Sequence, residues 1–254
     1  MNKTEILGIN FTPADKAEVY RNIEKLIFES CNARIFTPNA EILYRASKDE
    51  ELTDLLNSAD MLLPDGIGVI LASRMIGSPL PCRITGIDTA EYVLQLAASK
   101  GLSVFLLGGA QGVAVKAKTA LEKRIDGLCI CGTHHGYFDL SGKGNEEVIK
   151  KIIDARPDIL FVCLGFPRQE KWIAENTHRL PFLRLSMGLG GSLDVWSGNV
   201  RRAPKAVQRM GLEWLFRSLS SSKRMLRLPY VFLFAKKAVS DKFKKSRLLR
   251  SDLR

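Results

Sequence analysis

Six short apolar runs, separated by helical patterns, constrain what this 254-residue chain can fold into. Arg34–Thr37 ends in Thr37-Pro38-Asn39, Asp60–Leu63 in Pro64-Asp65-Gly66, and Leu102–Leu107 in Gly108-Gly109. Leu128–Cys131 comes next, then Asp158–Leu164 before Gly165-Phe166-Pro167, and Phe182–Met187 before Gly188-Leu189-Gly190-Gly191. Helical spacing covers Ala40–Ser47, Asp49–Ser58, Ile67–Met75, Gln111–Arg124, Asn145–Ala155 and Arg168–Asn176. Asp88 is placed to cap a further helix through Ser99. Apolar strands alternating with helices predict an α/β chain: a mostly parallel sheet with helices on both faces.

Charge divides the chain a second way. Residues 197–254 hold 16 of the 38 Lys and Arg and only three acids, Glu213, Asp241 and Asp252, for a net charge of +13, whereas residues 1–196 sum to −2. Strand patterns stop at the same place. Ala203–Leu219 reads as helix with Pro204 in its first turn, a tolerated position. The expected domains are an α/β core over residues 1–196 and a basic, amphipathic helical appendage over 197–254. Such an appendage suits a polyanion: phosphates, nucleic acid or an anionic membrane. Arg217, Arg224 and Arg227 are spaced 7 and 3 apart and share a face on a continuous helix. Tyr230–Phe234 followed by Lys236, Lys237, Lys242, Lys244 and Lys245 fits a segment lying in a membrane interface. A solvated basic tail is the plainer alternative. No nucleic-acid-binding fold precedes the tail, so nucleic acid is not the expected partner. Self-association into a homo-oligomer would bury the tail's apolar part away from a membrane. Met1–Asn10 is too short and polar for a signal peptide, and no run approaches the ~20 apolar residues of a spanning helix.

Cys31, Cys82, Cys129, Cys131 and Cys163 are odd in number, and Cys129-x-Cys131 lacks the spacing of a zinc knuckle or redox motif. Buried, reduced thiols are expected. Adjacent His134 and His135 on an extended segment should point opposite ways and share no metal ion.

In parallel α/β sheets ligands bind beyond the carboxyl ends of the strands, where polar residues and glycines collect here. Gly108-Gly109-Ala110-Gln111-Gly112 can present backbone N–H groups to a phosphate, or can simply make a tight turn. It is not Gly-x-Gly-x-x-Gly, and no acid closes Leu128–Cys131 to hold a ribose, which argues against a dinucleotide cofactor. Asp65 at a strand end can act as a general base, or it can cap the helix Ile67–Met75. Arg83 can clamp an oxyanion bidentately or lie solvated on the surface. No Asp-x-Asp pair is present to hold a metal-nucleotide complex.

These residues in this order resemble the bacterial WecG/TagA/CpsF glycosyltransferase family over about residues 5–230. The resemblance is carried by Thr37-Pro38-Asn39, Pro64-Asp65-Gly66, Arg83-x-x-Gly86-x-Asp88, Leu107-Gly108-Gly109, Gly136-Tyr137-Phe138 and Gly165-x-Pro167-x-Gln169-Glu170. Gly188-x-Gly190-Gly191-x-x-Asp194, Arg202-Ala203-Pro204 and Gly211-Leu212-Glu213-Trp214-Leu215 complete it. It implies a Rossmann-like fold and an inverting transfer, without metal or cofactor, of a sugar from a UDP donor to a polyprenyl-diphosphate-linked acceptor. N-acetylmannosamine is the first choice of sugar, with its uronic acid or glucose as alternatives. The setting implied is the inner face of the bacterial plasma membrane, in teichoic acid or surface polysaccharide synthesis. Asp65 would be the base, with Thr37, Asn39 and Arg83 beside it. Gly108, Gly109, Tyr137, Gly165, Pro167, Gln169, Glu170, Gly191 and Asp194 would bind substrate. Arg202, Arg217, Arg224 and Arg227 would compensate the diphosphate. Where relatives tend to have Glu-Pro followed by Arg-Arg and later Arg-Tyr, this chain has Ser221-Ser222-Lys223-Arg224 and Arg227-Leu228. A non-catalytic protein binding UDP-sugar or lipid on the same fold is the competing reading.

Overall fold

A computed structural model describes residues 3–210, 213, 216 and 228–251. The chain forms two compact units, one from Met1–Lys16, Thr37–Thr85 and Arg202–Arg254, the other from Ala17–Phe36 and Gly86–Arg201.

The first unit opens with an antiparallel hairpin, β1 (Thr4–Ile6) and β2 (Ile9–Phe11), that the apolar-run pattern passes over. Its two-residue turn is Leu7-Gly8, both at positive φ. Leucine there hides the turn from a reading that looks for Asn-Gly or Asp-Gly. Asn57 fastens the turn, its Oδ1 accepting from the Asn10 N–H at 3.0 Å and its Nδ2 donating to the Gly8 carbonyl at 2.9 Å. Asn57 ends α3 (Glu50–Asn57), whose N-cap Asp49 accepts from the Leu52 N–H at 3.2 Å. The unit also holds α2 (Ala40–Ala46), β4 (Met61–Leu62), α4 (Ile67–Met75) and α10 (Lys205–Arg209). Its last helix, α11 (Leu228–Ser251), packs on α2 and α4. Phe234 and Ala238, one turn apart, are its buried contacts. Lys237 donates to the carbonyl and hydroxyl of Ser47 at 2.7 and 2.9 Å, where a cation also suits the carboxyl end of α2. Helix α10 stops at Arg209, shorter than the Ala203–Leu219 run, with Met210 as its C-cap.

The second unit is built on parallel strands in the order β3 (Ala33–Phe36), β8 (Leu185–Gly188), β7 (Ile159–Cys163), β5 (Ser103–Gly108) and β6 (Cys129–His134). α5 (Gly86–Lys100) leads into β5, α6 (Val113–Arg124), α7 (Lys143–Ala155) and α8 (Arg168–Asn176) join the strands that follow, and α9 (Ser192–Trp196) comes after β8. β5, β7 and β8 are buried along nearly their whole length, as expected of strands covered on both faces. The chain is therefore α/β, a parallel sheet flanked by helices. Helix α1 (Lys16–Glu29) adds Val19, Ile23 and Ile27 to the core at four-residue spacing.

Two boundaries differ from the sequence expectation. Helix α5 starts at Gly86, which puts Asp88 in its first turn rather than at its cap. β6 runs past Cys131 to His134, because a bulge between Ile130 and Gly132 absorbs Cys131 and lets pairing with β5 continue. That end of β6 is only half-buried, so it carries no apolar signal.

Two polar devices hold this unit. At the amino ends of the strands, Asp158 accepts from the Ser103 N–H and hydroxyl at 2.9 and 3.1 Å and from Arg184 Nε at 2.9 Å. Between α7 and α8, the buried Trp172 indole donates to Asn145 Oδ1 at 2.7 Å. Asn145 Nδ2 donates to Asn176 Oδ1 at 2.8 Å, and Asn176 Nδ2 returns to the Trp172 carbonyl at 2.9 Å. Asn145→Ala strands two of these groups, and we expect it to destabilise the chain by about 2–4 kcal/mol in a urea titration. An unchanged midpoint would show that water replaces the network at no cost.

Candidate active site

The strand order reverses between β5 and β7. β5–α6–β6 steps to one side, β6–α7–β7 crosses back over β5, and β7–α8–β8 steps to the other side. Such a switch point opens a crevice at the carboxyl ends. The register sets these ends level: Gly108 opposes Cys163, Val162 opposes Gly188, and Leu107 opposes His134.

At the reversal the two backbones nearly touch. A Cβ on Gly108, whose φ is +135°, would lie 2.4 Å from the Cys163 carbonyl oxygen, so only glycine fits. Gly109 donates its N–H to that same carbonyl at 3.3 Å. Gly136 in turn donates to the Gly109 carbonyl at 2.8 Å, which ties the loop after β6 to this turn. Gly109-to-Gly112 leads into α6 with Gly112 at its N-cap, leaving backbone N–H groups at the start of the helix.

The turns after β7 and β8 are joined by one side chain. Gln169, 3% exposed, accepts on Oε1 from the N–H groups of Gly165 at 3.2 Å and Gly190 at 2.9 Å. Its Nε2 donates to Glu170 Oε1 at 2.8 Å, and Glu170 is 1% exposed. Gly188 makes room for it, since a Cβ there would come within 2.9 Å of Gln169 Nε2. Gln169 thus fixes the shape of the turns. Pro167 occupies the N-cap position of α8, Gly191 that of α9, and Asp194 lies in the first turn of α9.

At the end of β6 the histidines depart from expectation. Their rings lie 4.3 Å apart at 34°, instead of pointing to opposite faces, because the chain leaves the sheet between them. His134 Nδ1 is 2.8 Å from the His135 carbonyl, and Phe138 meets the His134 ring edge-on at 5.6 Å. The Tyr137 N–H donates to His135 Nδ1 at 3.3 Å, and the Tyr137 side chain is 75% exposed.

The first unit gathers Thr37, Asn39, Asp65, Arg83 and Arg202. The Asp65 N–H donates to the Pro38 carbonyl at 3.2 Å, which brings the Thr37-Pro38-Asn39 turn beside Pro64-Asp65-Gly66. The Ile84 N–H donates to the Pro64 carbonyl at 3.1 Å and brings the Arg83 loop to the same place. Asn39 caps α2 through the Ile42 N–H at 3.1 Å. Asp65 is not the cap of α4: Gly66 holds that position, with no side-chain cap bond. Thr37 and Asp65 are half-buried. Arg83 Nη2 donates to the Gln208 carbonyl at 3.0 Å, so one donor of five anchors it to α10. Arg202 Nε pairs with Glu213 at 3.5 Å. Arg217, Arg224 and Arg227 lie outside the described residues.

Sequence reasoning did not find the Cys163 carbonyl, the bond from Gly136 to the Gly109 carbonyl, or the tie that Gln169 makes between two turns. Gly188 and Gly190 around a Gln after Gly-x-Pro were the available signal. The cysteines also need correcting. Cys31 and Cys129 are exposed, Cys82 and Cys131 intermediate, and only Cys163 is buried, because the edge strand and surface turns carry the others. Burial pushes the Cys163 thiol up to about 12. At pH 8 Cys163 stays protonated, so iodoacetamide followed by peptide mass mapping should label Cys31 and Cys129 while sparing Cys163. Equal labelling would mean that the strand-end crevice opens to bulk solvent.

The model of the Glycosyl transferase WecG/TagA/CpsF family matches residues 4–248. Among curated relatives, the N-acetylglucosaminyldiphosphoundecaprenol N-acetyl-beta-D-mannosaminyltransferase of Staphylococcus aureus strain MRSA252 is 36% identical over 245 residues, 95% of this chain and 94% of the relative. Proteins of the same name from strains MW2 and NCTC 8325 match to the same extent. With a level row of glycine turns at a switch point and an aspartate held beside Thr37 and Asn39, this chain belongs to the WecG/TagA/CpsF family of glycosyl transferases.

Proposed function

We propose that this chain transfers N-acetylmannosamine from its UDP derivative to N-acetylglucosaminyldiphosphoundecaprenol, with inversion at the anomeric carbon. The reading is carried by the 36% identity over 95% of the chain to relatives that bear this activity in their names. Asp65 takes the proton of the acceptor hydroxyl, whose oxygen then bonds to the anomeric carbon of the donor. The bond from that carbon to the diphosphate breaks, and UDP leaves with the electron pair. A half-buried carboxylate beside the Thr37-Pro38-Asn39 turn supports the base role. Thr37 and Asn39 line the sugar beside it. Arg83, held to α10 by one of its five donors, compensates developing charge on oxygen. The N–H groups that follow the Gly108-Gly109 turn, at the start of α6, receive the donor diphosphate.

The acceptor's lipid places the work at a membrane, and its inner face is where a UDP-sugar is available. Among the described residues no helix is long and apolar enough to cross a bilayer. Peripheral docking through the basic helix is the arrangement we propose. Phe232 and Leu233 on α11 are 73% and 41% exposed, and Leu71 and Met75 on α4 are 48% and 38% exposed, next to an excess of lysine and arginine. Arg217, Arg224 and Arg227 would then approach the diphosphate, and self-association would cover the same apolar side chains away from the membrane.

UDP release should appear with UDP-N-acetylmannosamine only when the lipid-linked acceptor or a soluble analogue is added. UDP-glucose and the uronic acid derivative should stay silent. Asp65→Asn should lower turnover at least a hundredfold while UDP binding is unchanged; full turnover would remove Asp65 from the mechanism. In a vesicle flotation assay, Phe232→Ser with Leu233→Ser in the full chain should lower retention on anionic vesicles several-fold. Retention equal to the unsubstituted protein would refute docking through α11.

A further inference from the structure

β5, the Gly108-Gly109 turn, α6 and β6 form one βαβ unit beside the switch point. In nucleotide-binding units of this kind, the first turn holds phosphate and a carboxylate ending the second strand takes the ribose hydroxyls. Here β6 ends at His134, with His135 following.

The hydrogen bonds fix the tautomer of each ring. A carbonyl cannot donate, so the contact to the His135 carbonyl puts the proton of His134 on Nδ1. The remaining nitrogen, Nε2, is then an acceptor. The Tyr137 N–H donates to His135 Nδ1, so the proton of neutral His135 is on Nε2, which is a donor. One acceptor nitrogen and one donor nitrogen therefore sit side by side, with rings 4.3 Å apart. Burial holds His134 below its ordinary value. The neighbouring His135 and Lys151 push the same way, against the opposing effects of its backbone hydrogen bond and Glu147. The ring thus stays uncharged near neutrality.

We infer that the His134–His135 pair binds the ribose diol of the donor nucleotide, His134 Nε2 accepting from one hydroxyl and His135 Nε2–H donating to the other. This rests on the UDP-donor reading above. Imidazoles carry no negative charge, so the pair does the work of a carboxylate without repelling the nearby diphosphate. The Gly136 N–H to Gly109 carbonyl bond sets the span from phosphate turn to ribose site. Tyr137, exposed and next in the loop, offers a face on which the base can stack.

The test is calorimetric titration of the full-length protein with UDP, 2′-deoxy-UDP and 3′-deoxy-UDP. It compares the unsubstituted chain, His134→Phe and His135→Phe, since phenylalanine keeps the ring packing. Each variant should bind UDP about tenfold more weakly, the worth of one hydrogen bond of about 1.4 kcal/mol. Each should also lose nothing further against the one deoxy analogue that lacks its own hydroxyl partner. His134→Gln, which restores an acceptor, should recover part of the loss. Unchanged UDP affinity in both variants overturns the inference, as does an equal loss for UDP and both deoxy analogues. If the unsubstituted protein does not bind UDP, the donor reading itself falls and this inference with it. Should His134→Phe fail to melt cooperatively, His135→Phe carries the same comparison alone.

Discussion

Much of the second unit depends on how closely two strands' backbones approach where the sheet changes direction. The hydrogen of Gly108 is all that separates its α-carbon from the Cys163 carbonyl, which leaves that carbonyl free to accept the Gly109 N–H. From this contact the other turns follow. Gly136 is drawn onto the Gly109 carbonyl, and the loops after β7 and β8 are drawn together by Gln169. The result is a set of strand-end turns tied to one another by hydrogen bonds, with the amino end of α6 following the first of them.

The two ends of the sheet are built differently. At the amino ends, Asp158 uses both carboxylate oxygens on Ser103 and Arg184, a charge-assisted staple. At the carboxyl ends the tying groups are glycine backbone and a neutral amide. Charged ties are concentrated at one end, and the end where parallel strands run into helices, the usual place for ligands in such sheets, is left to glycine turns.

Much of this was legible in the chain. Apolar runs closed by Gly and Pro turns gave β3, β5, β7 and β8, and they placed Ile67–Met75 and Arg168–Asn176 to the residue. Thr37, Asn39, Asp65 and Arg83 could be named because the family resemblance singles them out, since local pattern left capping and surface roles open, and Asn39 does cap α2. What escaped the sequence was non-local or atypical. The hairpin at Leu7-Gly8 lacks the usual turn pair, and its strands are three residues long. The extension of β6 to His134 depends on a bulge at Cys131 that no periodicity announces. Gln169 reads as a substrate contact in one dimension. In three it is a buried brace whose partners are up to 21 residues away.

Helix α2 deserves a mechanical view. It is a rod of seven residues, about 10 Å long. Asn39 is fixed to one end by its capping bond, and Lys237 of α11 grips Ser47 at the other. Phe234 of α11 also rests against Gly68 of α4, the helix that Asp65 precedes. Levers of this kind work in both directions. Whatever steadies the basic helix steadies the ends of α2 and α4 at which Asn39 and Asp65 stand, and a ligand that held Asn39 more tightly with that helix in place would steady the helix by the same free energy.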